Sequence, residues 1–366
     1  MKKIMVVMLG LVMALSVFAG GKASGTETGG AAKPSRDNIK VGFVYIGSIH
    51  DEGYTQAHDK GRLAIEALGI KTVYVENVPE NADCEKTIRD LIDQGCNVIY
   101  TTSFGFMDWT IKVAADFPNV YFGHCSGYKR AENVSTYFGK AYQARYLAGI
   151  AAGYKTTVNK IGYVAAFSIP EVIRGINAFT LGVQSVNPNA TVEVIWTNTW
   201  YDPAVEKQGA IELLNKGCDV IAQHQDTTAP QIAAQERGAA AIGYNVATPT
   251  AAPRAYLTAP LFHWEVFYVD DVKKVLDGTW KARAYWEGFS NGTVTLDTLT
   301  ANNDPRTAPA VADAEAKIKA GTLEPFTGPL TDQSGVVKVP AGTKMTDDEI
   351  WNMSWFVKGV IGVISN

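Results

Sequence analysis

Two stretches, LIDQGCNVIYTTS at residues 91–103 and LLNKGCDVIAQHQ at residues 213–225, decide the fold. Each passes from the end of a helical pattern through a glycine, a cysteine and an amide or acid into a Val-Ile run. Glycine ends a helix because it adopts the left-handed backbone cheaply, and β-branched residues then favour an extended strand. One phrase written twice in a chain predicts two copies of one structural unit.

Working outward, short apolar runs alternate with helical patterns on both sides of the phrase. KVGFVYIG, KTVYVENV, NVIYTTS and VYFGHCSG read as strands, with helices expected at 54–68, 82–95 and 106–116. After a long helical stretch, Ala141–Thr156, the scheme restarts as KIGYVAAF, TVEVIWTNT, DVIAQHQDT and AAIGYN, with helices near 171–186, 203–216 and 228–237. Apolar strands separated by helices mean a parallel sheet covered on both faces. The expected fold is therefore α/β, with two doubly wound parallel-sheet lobes, a hinge and an interlobe cleft. The first lobe spans 39–140 with a return segment at about 262–300, and the second spans 141–255. In such sheets ligands bind beyond the carboxyl ends of the strands, so the two lobes should line one cleft.

The ends of the chain carry other signals. MKK, then IMVVMLGLVMALSVFA, with small residues at Val17 and Ala19, reads as a secretory signal over residues 1–19 cleaved after Ala19. Residues 20–38 read as a flexible tether, and no cysteine stands near the cleavage site for lipid attachment. No later run is apolar for long enough to span a bilayer, so the mature protein is expected to be exported. The stretch from 300 to 366 reads as a hinge-crossing tail, and MTDDEIWNMSWFVKGVIGVIS as a docked terminal helix opened by a Thr-x-x-Glu cap.

Composition excludes several functions. The formal net charge of −4, more negative still without Lys2 and Lys3, lacks the basic face that nucleic acid requires. The four cysteines, Cys84, Cys96, Cys125 and Cys218, show no C-x-x-C spacing. Cys96 and Cys218 open strands and read as small buried hydrophobes, while a Cys84–Cys125 disulfide stays open. There is no G-x-S-x-G, no H-E-x-x-H and no P-loop lysine. No catalytic residue, metal ligand or cofactor is expected.

SIHDEGYTQAHDKGR, residues 48–62, holds two histidines, two aspartates and a glutamate. His50 and His58 are eight apart across a loop–helix junction, unlike the i,i+4 pair of a helical zinc site. The stretch reads instead as a helix start at the cleft. Asp51 caps it, Tyr54 stands at the mouth, and Ala57, Gly61, Ala64, Ile65 and Leu68 form the core stripe.

These residues carry a resemblance. GSIHDEGYTQAHDKGR, TTSFGFMD, FGHCSGY, STYFGKAYQARYLAGIAAG, TNTWYDPAVEKQGAIELLNKGCDVIAQHQDT, AIGYN and DGTW, in this order across about residues 39–300, resemble the basic membrane protein family of ABC-transporter substrate-binding proteins, and within it the purine-base branch. The resemblance implies a type I periplasmic binding fold that closes on a purine base or nucleoside and hands it to a membrane permease, acting as a monomer. Nucleoside-binding members have Ser-Phe-Asn where this chain has Gly53-Tyr54-Thr55. Their Gly-Gly turn becomes HQDT, which places a carboxylate at Asp226, and their ribose-binding Asp is Asn245 here. Their lysine on the last crossover has no counterpart in LTAPLFHWE. These departures point to a free base.

Purine capture can be argued from chemistry as well. A flat heteroaromatic ring asks for aromatic faces and a few polar groups at its edge. Tyr54, Phe104, Trp200 and Trp264 are candidates for the faces, with Phe106, Tyr128, Tyr201 and Tyr244 as other aromatics near strand ends. Asp51, Ser103, Asp226 and Asn245 are candidates for the edge. Asp226 either caps the next helix or accepts hydrogen bonds from an amine and a ring N–H. Nucleoside or sugar binding on the same fold is the alternative.

Overall fold

The computed structural model describes residues 34–364; the expected signal sequence and residues 20–33 of the expected tether lie outside them. From the amino end the chain forms β1 (Lys40–Val44), α1 (Tyr54–Glu66), β2 (Lys71–Val75), α2 (Ala82–Asp93), β3 (Val98–Thr101), α3 (Met107–Asp116), β4 (Tyr121–Cys125) and β5 (Val134–Gly139). After α4 (Ala141–Lys155) the pattern repeats as β6 (Lys160–Ala165), α5 (Pro170–Val186), β7 (Thr191–Trp196), α6 (Pro203–Asn215), β8 (Val220–His224), α7 (Ala229–Glu236), β9 (Ala240–Ile242) and β10 (Tyr256–Thr258). The rest comprises β11 (Pro260–Phe262), α8 (Trp264–Leu276), β12 (Ala284–Glu287), β13 (Val294–Leu296), α9 (Thr307–Lys319), β14 (Leu330–Thr331), β15 (Val337–Val339), α10 (Asp347–Trp351) and β16 (Val360–Ile361).

The first sheet runs β2-β1-β3-β4-β5-β12 and the second β16-β7-β6-β8-β9-β10, every neighbouring pair parallel. Both cores thus share one strand order, reversing direction between β1 and β3 and between β6 and β8, where doubly wound sheets take their ligands. The repeated phrase has one backbone geometry in both copies. Gly95 (φ 91°) and Gly217 (φ 88°) are left-handed. Cys96 N–H donates to Leu91 O at 3.0 Å and Cys218 N–H to Leu213 O at 3.1 Å, closing each helix with the same six-residue loop. The strands that follow, β3 and β8, are buried along their whole length, as expected for sheets covered on both faces. All four cysteines are buried and free.

The apolar stripe of α1 differs from the expected one. Leu68 is exposed, whereas Thr55, His58 and Arg62 are buried with Ala57, Gly61 and Ile65. The helix α8 causes this by packing along α1. His58 stacks on Trp264 (centroids 4.5 Å apart, planes at 8°), and its Nδ1 lies 2.6 Å from the Tyr268 hydroxyl.

The tail also differs. Its helix α10 is only five residues long, with a Thr346/Glu349 capping box, and β16 then adds to the edge of the second sheet beside β7. Gly359 (φ 100°) and Gly362 (φ 149°) break any helix there, and the Val-Ile pair between them suits a strand. The second sheet therefore includes one strand from the tail and extends to Thr258. The helix α9 buries Val311, Ala314 and Ile318 in the same apolar cluster as Leu147 and Ile150 of α4. Among the described residues no helix is long and apolar enough to cross a membrane.

Candidate ligand-binding cleft

Every residue that lines the cavity between the sheets stands at or just beyond the carboxyl end of a strand. From the first sheet come Ile46 and Tyr54 after β1, Ser103 and Phe104 after β3, and Ser126 after β4; from the second come Glu171 after β6, Trp200 after β7, His224 and Asp226 at β8, and Tyr244 after β9. They border about 310 Å³ of atom-free space, part of it open to solvent. The cleft is closed: the Thr228 hydroxyl of the second lobe donates to Glu52 Oε2 of the first at 3.2 Å, and Gly53 packs on the backbone of Asp226.

The structure brings five of the sequence-predicted residues together: Tyr54, Ser103, Phe104, Trp200 and Asp226. Asp51, Asn245 and Trp264 do not line the cavity. Asp51 accepts from the backbone N–H groups of Gly53 (2.8 Å), Thr55 (2.7 Å) and Gln56 (3.0 Å), which caps α1. Trp264 is fully buried, stacked between His58 and Phe262. Asn245 is 0% exposed at φ 69°, and among the described residues neither its amide nitrogen nor its amide oxygen has a hydrogen-bond partner. His50 is exposed, and among the described residues no group of three or more His, Cys, Asp or Glu is placed to hold a metal ion.

Asp226 is the chemically sharpest group. It does not cap α7, whose N-cap is Thr228; the Ala229 N–H at the start of the helix donates to Thr227 Oγ1 at 3.2 Å. No described donor meets the Asp226 carboxylate, though the residue is only 4% exposed. Burial, reinforced by the carboxylates of Asp51, Glu206, Glu171 and Glu80, pushes its pKa well above the ordinary carboxylate range. A buried acceptor without a donor costs about 1–3 kcal/mol, a cost that a donor brought by a ligand removes.

The other lining groups are held by specific neighbours. The Tyr54 hydroxyl donates to Thr102 O and lies 3.4 Å from Cys125 Sγ, fixing the ring at the head of α1. Ser103 Oγ donates to Glu80 Oε1, which also accepts Gly105 N–H at 2.8 Å and so holds the loop that presents Phe104. Trp200 leans on Phe167 at 5.0 Å. Tyr244 is backed by the Arg145 guanidinium, 3.8 Å from its ring centre. His224 Nε2 lies 3.2 Å from the Tyr244 hydroxyl and 3.4 Å from Glu171 Oε1. Burial brings its pKa down to about 4, so the imidazole is neutral at pH 7.

Sequence reasoning passed over Glu171, Ser126 and Ile46, placed His224 near the cleft edge only as one of five histidines, and counted Tyr244 only among the nearby aromatics. One signal was available: each follows or ends a predicted strand on the side facing the cleft. Glu171 in particular is the first charged residue after KIGYVAAF.

Comparison with known proteins matches this geometry. Residues 38–324 match the family model described as Bmp, ABC transporter substrate-binding protein PnrA-like. The chain is 43% identical over 341 residues to a protein of Brucella abortus (strain 2308) named a purine-binding protein, covering 92% of this chain and 97% of that one. It is 37% identical over 353 residues to TsgA13 of Haloferax volcanii, provisionally named an ABC transporter glucose-binding protein, covering 94% and 87% of the two chains. Among solved structures, an ABC transporter solute-binding protein of Aeropyrum pernix K1 superposes with a TM-score of 0.69 at 19% identity, covering 85% of this chain and 95% of that chain, which is a likeness of fold. Two parallel sheets of one strand order, closing a cavity at their carboxyl ends, together with a family match over most of the chain, establish that this protein belongs to the Bmp family of PnrA-like ABC transporter substrate-binding proteins, an extracytoplasmic family of the type I periplasmic binding fold.

Proposed function

We propose that this protein captures a free purine base in the closed cleft and delivers it to an ABC permease, without turning it over. One observation carries the reading: Asp226, only 4% exposed and with no described donor to its carboxyl group, lines a cavity that Tyr54, Phe104, Trp200 and Tyr244 also line. A flat ring fits between such walls, and its N–H groups supply the donors that Asp226 lacks. The Brucella relative, named for purine binding, supports the same ligand class.

The lobes, residues 39–140 with about 262–300 and residues 141–255 extended by the tail, act as a clamshell that closes on the base. The chain works as a monomer. It is exported by its amino-terminal signal, cleaved after Ala19. Glucose is the second reading, favoured by the name of the Haloferax relative and by the fact that sugars also stack on aromatic walls.

Calorimetry of the mature protein, stripped of ligand by unfolding and refolding, decides between them. Adenine, guanine, hypoxanthine, adenosine and glucose are titrated in turn. One-to-one binding of at least one free base, tighter than adenosine and glucose, is expected. Heat from glucose with none from any purine overturns the reading.

A further inference from the structure

The cavity wall holds two carboxylates, Asp226 and Glu171, and no lysine or arginine. Glu171 stands in the first turn of α5, just after β6. Its Oε1 lies 3.4 Å from His224 Nε2. That nitrogen is shared with the Tyr244 hydroxyl at 3.2 Å, and a neutral imidazole nitrogen either donates or accepts. The His224 contact involves Oε1, and the Glu171 carboxyl group lines the cavity, where a ligand can reach it.

An ionised carboxylate only accepts hydrogen bonds. Two carboxyl groups in one cavity, with no lysine or arginine in its wall, present acceptor oxygens even where burial keeps one of them protonated, so they reward N–H donors and offer an anionic group no cationic partner. Purines differ in the donors they offer. 2,6-Diaminopurine carries two amino groups and a ring N–H, adenine carries one amino group and a ring N–H, and unsubstituted purine carries the ring N–H alone. A nucleoside monophosphate adds an anion.

Resting on the base reading above, we propose that Glu171 is a specificity-determining residue that accepts a second N–H of the bound base, so that the site ranks purines by their donors and rejects phosphorylated ones. Asp226 takes one donor and Glu171 another. The ring faces set which ligands are flat enough, and the two acids set which flat ligands are retained.

The test is calorimetry of refolded wild type, Glu171→Gln and Glu171→Asp with 2,6-diaminopurine, adenine, purine and adenosine monophosphate. Wild type should bind in the order diaminopurine, adenine, purine, with no binding of the monophosphate. Glu171→Gln, which preserves shape, should weaken diaminopurine and adenine by about tenfold or more and purine by less, flattening the series. Glu171→Asp keeps the charge but withdraws the oxygens, and should fall between the two. Purine binding by Glu171→Gln with the wild-type affinities and order overturns the role of Glu171 alone. Failure of wild type to bind any purine overturns the base reading itself.

Discussion

Gly53, at the head of α1 in the first lobe, faces the backbone carbonyl of Asp226 in the second so closely that a Cβ on Gly53 would lie 2.1 Å from that oxygen. No side chain fits there while the cleft is closed, and backbone cannot yield as a flexible side chain can. Gly53→Ala should therefore hold the lobes apart without touching either core. The expected result is a ligand affinity at least about tenfold weaker and a scattering radius that no longer shrinks on adding ligand, with a melting temperature in the absence of ligand close to wild type. Full closure of the variant at wild-type affinity would contradict this.

Tyr54 and Asp226 approach the cavity from opposite lobes, and their substitutions should differ in kind. Stacking on an aromatic contributes about 1–3 kcal/mol per base, so Tyr54→Ala should weaken every purine by about 5- to 150-fold. Asp226→Asn replaces one acceptor by a donor, and should cost adenine more than hypoxanthine, whose O6 accepts. Equal losses for the two bases would remove Asp226 from the ring edge.

Two buried acids make stability pH-dependent in a stated direction. Burial raises Glu206 from its ordinary 4.5 to about 7, against the hydrogen bonds it accepts from Thr227 and Asp202. Asp226 is raised as well. The folded state then holds protons that the unfolded chain has released, so the contribution to stability is full below the ordinary carboxylate pKa and lost as pH rises through about 7. The melting temperature of ligand-free protein should fall between pH 5 and pH 7.5 as scanned by calorimetry, and Glu206→Gln should flatten part of that fall. A melting temperature that rises across this window would refute the assignment.

His58 tests the nature of the cluster at residues 48–62. It is fully buried, its pKa driven far down by burial, and stacked on Trp264. His58→Ala should remove that stacking contact and destabilise the fold by about 2–4 kcal/mol, with a smaller effect on ligand affinity than Tyr54→Ala. A chelator should change neither. Loss of binding on chelation would make the stretch a metal site.

Much of this architecture was legible in residues 91–103 and 213–225, because a helix-ending glycine followed by a β-branched run leaves the backbone little choice. Asp226 and Tyr54 could be placed for the same reason, since a parallel strand delivers whatever follows it to the cleft. Trp264 could not. It stands at the start of a helix near the cleft, but α8 turns it inward against His58 and Phe262, a tertiary contact no local pattern encodes. Leu68 was misplaced on the core face because the α1 stripe is set by α8, more than 190 residues away in the chain. The tail was read as a helix from Thr346 and Glu349, which do form a capping box; the glycines at 359 and 362 were the overlooked signal.

A crystal structure of the refolded protein with adenine tests the central claim most directly. The account predicts a closed cleft with the base between the aromatic walls, one face on Tyr54, and its exocyclic amine within hydrogen-bonding distance of the Asp226 carboxylate. Adenine bound with no contact to Asp226, or bound outside the cavity between the two sheets, would contradict it.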